Sequence, residues 1–163
     1  MRPIRSALQG AAAGVAATTL MTGVMSAAKK AGAMGQDPPK LLVRRLLPGG
    51  HQALPRTGED PASAAAHLAF GAGAGAVFGV LTGRRRPGIP TGVGYALLVW
   101  AASYEGWVPA LRVQPPAHRD APGRTLTMAA AHVVYGAALA RTLRAMRARA
   151  ARKDAATSGN IVH

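Results

Sequence analysis

Residues 6–28, SALQGAAAGVAATTLMTGVMSAA, run for 23 residues without a charge between Arg5 and Lys29. A soluble amphipathic helix places charged groups every three or four residues along its outer face, and this stretch has no such face. A hydrocarbon core about 30 Å thick needs about 20 residues of helix to cross it. The stretch therefore reads as a membrane span. Three more neutral stretches follow: residues 61–83, residues 87–104 (reaching 111 with Glu105 at the interface), and residues 125–140. The last is short, and Arg141 must snorkel toward the headgroups along its apolar stem for it to fit. A competing reading of the first stretch is a signal peptide, with Met1 to Arg5 as the basic region and Ser26-Ala27-Ala28 as a cleavage site. The apolar run exceeds the roughly 7–15 residues usual for such a peptide, which favours the span.

Composition agrees with a chain that packs in lipid. Of the 163 residues, 49% are hydrophobic but only 4% aromatic, and there are 20 glycines. Glycine is unfavourable inside soluble helices, whereas in membrane helices it lets backbones approach closely. The mean hydropathy of +0.11 is low for a membrane protein, which keeps a soluble basic helical protein as a minor alternative. No cysteine is present, so disulfides and thiolate metal sites are excluded. Arginine outnumbers lysine amid abundant Ala, Gly and Pro, a composition expected of a GC-rich bacterial genome.

The net charge of +14 fits nucleic acid, anionic lipid or the positive-inside bias of membrane proteins. Placement favours the last two, because the basic residues fall in short runs between neutral stretches. With four spans both termini share a side. Arg2, Arg5, Arg84–Arg86 and the six basic residues from Arg141 to Lys153 lie there, in short segments next to spans, while most acids lie opposite. Both termini are thus expected on the cytoplasmic side of the inner membrane. Nucleic acid is not expected as a partner, since no aromatic interleaving or binding motif accompanies the charge.

Between the first two spans, Gln36-Asp-Pro-Pro-Lys40 precedes Leu41-Leu-Val-Arg-Arg-Leu-Leu47, and Pro48-Gly-Gly50 follows. Leu41, Leu42 and Leu46 share a helical face, so a short amphipathic helix on the membrane surface is expected; an ordinary loop helix packed on the bundle fits equally. Residues 154–163 read as a disordered tail.

An internal repeat is the most specific signal. Ala64-Ala-Ala-His-Leu-Ala-Phe-Gly-Ala72 and Ala129-Ala-Ala-His-Val-Val-Tyr-Gly-Ala137 match at six of nine positions. Gly10, Gly14, Val15 and Leu20 correspond to Gly88, Gly92, Val93 and Leu98, and Pro38-Pro39 to Pro115-Pro116. The expected fold is an all-α membrane protein of four transmembrane helices, a tandem duplication of a two-helix unit with an amphipathic helix inserted in the first copy. One domain spans residues 1–153, with units over about 7–83 and 87–146, and the axis relating them runs along the membrane normal. Small residues recur every fourth position: Gly10 and Gly14; Gly71, Gly75 and Gly79; Gly88 and Gly92; and Gly136. Such ridges let helices pack closely where lipid supplies no hydrophobic drive between them.

His67 and His132 occupy equivalent positions in the second and fourth spans, and Glu105 lies at the outer end of the third. Together they form a candidate polar cluster: ionisable groups inside a membrane are expensive and point to proton relay, ligand contact or metal ligation. The bland alternative is a packing role at a close helix contact, and it is the stronger of the two. The match to Glu105 in the first unit is Ala27, so the carboxylate is not part of the repeat. Tyr104 and Trp107 read as interfacial anchors. Arg84, Arg85, Arg86, Arg144 and Arg147 read as contacts to lipid headgroups. No catalytic fingerprint sits in a suitable context, so neither an enzyme nor a cofactor or metal is expected.

These residues resemble the YagU-like group of small bacterial inner-membrane proteins of unknown function. The resemblance rests on Trp107-Val-Pro109, Pro115-Pro116, Arg124, Ala131-His132-Val-Val-Tyr135-Gly136 and Ala66-His67-x-x-Phe70-Gly71, across about residues 7–140. It implies a multi-span membrane location and brings no catalytic residue. Two function classes follow: a non-enzymatic membrane protein working through contacts with the bilayer, its anionic headgroups, other membrane proteins or itself, and a small transporter or proton-linked conductor using the histidine pair.

Overall fold

The first helix, α1 (Arg2–Lys30), covers the whole opening neutral stretch. Pro3 sits in its first turn, where a missing N–H costs nothing, and Lys29 and Lys30 meet the negative end of its dipole. In the computed structural model, residues 2–32, 59–112 and 114–159 are described, and among them all regular structure is helical. The surface helix expected over residues 41–47 and the Pro38-Pro39 pair lie outside the described residues. The second helix, α2 (Glu59–Thr82), ends at Gly83, whose φ of +53° a residue with a Cβ adopts only under strain. A tight turn then leads to α3 (Ile89–Ala101). A π-helical turn, Ala102–Trp107, continues α3 and breaks at Gly106 (φ −102°, ψ −105°) before one last helical turn, Val108–Ala110. After a 3-10 turn at Ala117–Arg119, α4 runs from Pro122 to Gly159.

Among the described residues, three helices are long and apolar enough to cross a membrane: Pro3–Lys30, Asp60–Thr82 and Pro122–Thr157. They match the first, second and fourth neutral stretches. The third stretch does not qualify, because α3 has only 13 residues before the π turn interrupts it. The tail also departs from expectation: α4 continues through residues 154–159, because the Ala-rich run from Ala145 is a strong helix former with nothing to break it.

Packing follows the small-residue ridges. Helix α1 lies along α2 and α4, and α3 packs on α4. A Cβ at Gly10 would overlap the Gly75 carbonyl oxygen, and one at Gly14 would overlap that of Gly71. In the other pair, a Cβ at Gly92 would overlap the Gly136 carbonyl and crowd Ala140. Gly79 meets Ser6 and Gly10 in the same way. Gly88 does not join a ridge: the nearest atom to its missing Cβ is the Pro90 ring at 3.6 Å, because Gly88 is the extended N-cap of α3 rather than a helical residue.

The two helix pairs are joined by hydrogen bonds to α2. The Tyr135 hydroxyl donates to the Gly71 carbonyl at 2.8 Å and the Tyr95 hydroxyl to that of Ala74 at 2.7 Å. The Phe78 and Tyr95 rings stack at 4.9 Å beside them. Ala13, Ala17, Phe78, Ala96, Leu139 and Leu143 form the centre of the core. Leu20, Val77, Leu81, Leu98 and Leu126 point outward and are exposed, giving the bundle an apolar exterior.

Candidate functional site

At the end of the bundle away from the N-terminus, the four helices diverge around a cavity of about 120 Å³. Met21 and Met25 of α1 and Met128 of α4 supply flexible apolar wall. Ala66, His67 and Phe70 come from α2, His132 from α4, and Trp100 from α3. The π turn contributes Ser103, Tyr104 and Trp107, because its wider winding turns these side chains toward the bundle where an α-helix would rotate past. Val108 and Gln114 complete the wall.

The structure thus brings His67 and His132 to one cavity. His132 Nδ1 lies 2.7 Å from the Met128 carbonyl oxygen. A carbonyl only accepts, so Nδ1 donates, and in the neutral ring Nε2 keeps the lone pair. His67 Nδ1 lies 3.3 Å from the Thr22 hydroxyl of α1. Two further polar atoms are buried in the residues of this wall with no hydrogen-bond partner among the described residues: the Trp100 indole Nε1, a donor, and Gln114 Oε1, an acceptor. Buried polar atoms in proteins are nearly always paired; both atoms are occluded, although other parts of the two side chains line the same space as the histidines.

Glu105 is elsewhere. It is exposed and grips His118 of the following loop, with Oε2 2.9 Å from Nδ1 and Oε1 accepting the His118 backbone N–H at 3.2 Å. The cluster expected from the similar depth of these three groups does not form, because the break at Gly106 accompanies a Glu105 that is held by the loop residue His118. Among the described residues no three His, Asp or Glu side chains converge as metal ligands would.

Tyr104 is buried rather than interfacial, at 2% exposure. Its hydroxyl donates to Asp120 Oδ2 at 2.5 Å, and Arg124 approaches the same oxygen at 3.4 Å. Trp107 keeps a partly exposed edge, with its indole N–H donating to Ser103 at 3.2 Å and its ring 6.1 Å from Phe70. The Tyr104–Asp120 bond ties the π turn to the start of α4 and so closes one side of the cavity. Tyr104→Phe is expected to lower stability by about 1–2 kcal/mol, the scale of a bond to a charged acceptor. Thermal unfolding in detergent micelles, compared with wild type, checks it.

At the opposite end, Arg84, Arg85, Arg86 and Arg144 are exposed, as headgroup contacts would be. Arg147 is not: it is 8% exposed and donates to Thr82 Oγ1 at 3.1 Å, to the Gly79 carbonyl at 3.0 Å, and to the Arg85 carbonyl. Its place along α4 sets it against the carbonyl-rich end of α2, where a guanidinium satisfies otherwise unpaired acceptors. No family model, curated protein or solved structure matches this chain.

Proposed function

We propose that the chain is an integral membrane protein of the bacterial inner membrane that holds a small, mostly apolar, uncharged molecule in the His67–His132 cavity. The observation that carries this reading is the convergence of two histidines with the Trp100 and Gln114 side chains on one apolar-walled space. A ligand suited to it has an apolar body about the size of a single ring and a polar group within reach of the histidines. The reading is non-enzymatic: the wall offers hydrogen bonds and shape, and the Thr22 hydroxyl beside His67 gives its proton to the Thr18 carbonyl at 2.9 Å rather than to the imidazole.

In this reading four segments cross the bilayer, α3 together with its π turn being the third. The outward Leu20, Leu81, Leu98 and Leu126 face lipid, and the arginines of the opposite end face the cytoplasm with both termini. A tandem origin is supported by equivalent residues making equivalent contacts. Gly14 meets Gly71 in one helix pair, and Gly92 meets Gly136 in the other. The resemblance to the YagU-like group points to the same location.

Both tryptophans of the chain lie in the cavity wall, so intrinsic fluorescence reports on it directly. Titration of the micellar protein with cyclohexanol is expected to give a saturable emission change. The same titration of Ala66→Phe, which fills the space, is expected to give none. Identical responses from the two proteins would sink the cavity reading. Membrane integration is checked separately by alkaline carbonate extraction of membranes: the chain is expected to stay in the pellet, and release without detergent would favour the soluble alternative.

A further inference from the structure

The end of the bundle opposite the histidine cavity carries a second concavity, of about 370 Å³. Four arginines line it: Arg5 from α1, Arg84 and Arg86 from the turn after α2, and Arg147 from α4. Asp154 is the carboxylate among its lining residues. Asp154 is itself engaged and offsets one of these four charges; the remaining surplus of positive charge from three separate elements is what a bound anion would neutralise. Arg147 is fixed in advance, since its hydrogen bonds to Thr82, Gly79 and Arg85 go to neutral oxygens and leave its charge uncompensated by those partners. The turn that carries Arg84 and Arg86 is likewise fixed, by the left-handed Gly83 and by the Arg85 N–H donating to the Thr82 carbonyl at 3.0 Å.

From this arrangement we infer that the cleft binds a phosphate group, gripped by Arg5, Arg84 and Arg86 over the fixed floor of Arg147. Guanidinium matches phosphate oxygens two at a time, which an ammonium cannot do. The volume admits a phosphate with a glycerol-sized or sugar-sized substituent rather than a bare ion. Such a group arrives either on an anionic phospholipid or on a soluble phosphate ester, and both present the same oxygens. The site is independent of the histidine cavity, and only its lipid source rests on the membrane reading above.

The test uses the full chain in a phosphate-free maltoside micelle, with chloride holding the ionic strength constant. Thermal unfolding is followed against added inorganic phosphate, and separately against short-chain phosphatidylglycerol. At least one of the two is expected to stabilise the protein saturably. Saturation by inorganic phosphate assigns the site to soluble esters, and saturation by the lipid alone assigns it to a headgroup. Arg84→Gln with Arg86→Gln is expected to raise the half-saturating concentration about tenfold or more. Arg149→Gln with Arg152→Gln, an equal charge change on exposed arginines that do not line the cleft, is expected to stay within about twofold. Arg5→Gln carries the same comparison if the double variant is unstable in micelles. No saturable stabilisation by either probe, or an equal loss in Arg149→Gln with Arg152→Gln, overturns the assignment.

Discussion

Gly75→Leu is expected to separate α1 from α2 and to lower the stability of the bundle by about 3 kcal/mol or more. The reason is what a side chain would meet. A Cβ at Gly75 would overlap the Gly10 carbonyl oxygen and lie 2.8 Å from the Gly14 Cα. Both are helix backbone, which cannot step aside as the end of a side chain can. Accommodation requires α1 to move bodily, breaking the paired contacts at Gly14–Gly71 and Gly10–Gly79 together. Gly73, two residues earlier on the same helix, has nothing within 4 Å of its missing Cβ. Gly73→Ala is therefore expected to be neutral or to stabilise by up to about 1 kcal/mol, the helix-propensity difference. Detergent-to-denaturant titration followed by circular dichroism reads both. Equal losses at positions 73 and 75 would mean that the ridge is not the contact.

Much of this contrast is legible in the sequence itself. Spacing by four places small residues on one stripe of a helix, so Gly10, Gly14, Gly71, Gly75 and Gly79 announce a close helix pair, and Gly73 falls off the stripe. The same rule over-reached at Gly88, because spacing alone does not say where a helix begins. The neutral stretches marked the three long helices for a local reason: an absence of charge is a property of the segment itself. The candidate site was legible only in part. His67 and His132 reach one cavity because each sits at the same place in a similar helix. Tyr104 and Glu105 were misplaced because a π turn has no simple signature in composition, and their partners, Asp120 and His118, come from a loop whose course depends on the rest of the fold. Trp100 and Gln114 entered the site only through packing, although the pairing of both tryptophans with one end of the chain's third neutral stretch was visible.

The second large effect is expected at Arg147. Arg147→Ala should lower stability by about 2–3 kcal/mol, since it removes the guanidinium donors from the Gly79 and Arg85 carbonyls, while the Thr82 hydroxyl keeps its bond to the Phe78 carbonyl. Arg147→Lys is expected to recover less than half of that loss, because an ammonium is a point charge and these acceptors lie around a planar fork. Arg144→Ala, one turn earlier and exposed, is expected to change stability by no more than about 0.5 kcal/mol. Thermal unfolding of the three variants in micelles separates a buried clamp from a general loss of positive charge. Sequence pattern did not single out this residue. Arg141, Arg144, Arg147, Arg149 and Arg152 read as one basic run, and only the end of α2 selects one of them.

The π turn at Ala102–Trp107 has a consequence for symmetry. Under the proposed duplication, α1 and α3 start as copies, and α1 stays a regular helix through Lys30. Helix α3 changes winding at Ala102, so every later residue is out of phase with its counterpart. The cavity opens beside that loss of phase, between the methionines of the regular copy and the aromatics of the altered one. A faithful pair of copies would offer two half-sites or none. If the two helices are copies, the loss of step between them is what gives this chamber two unlike walls.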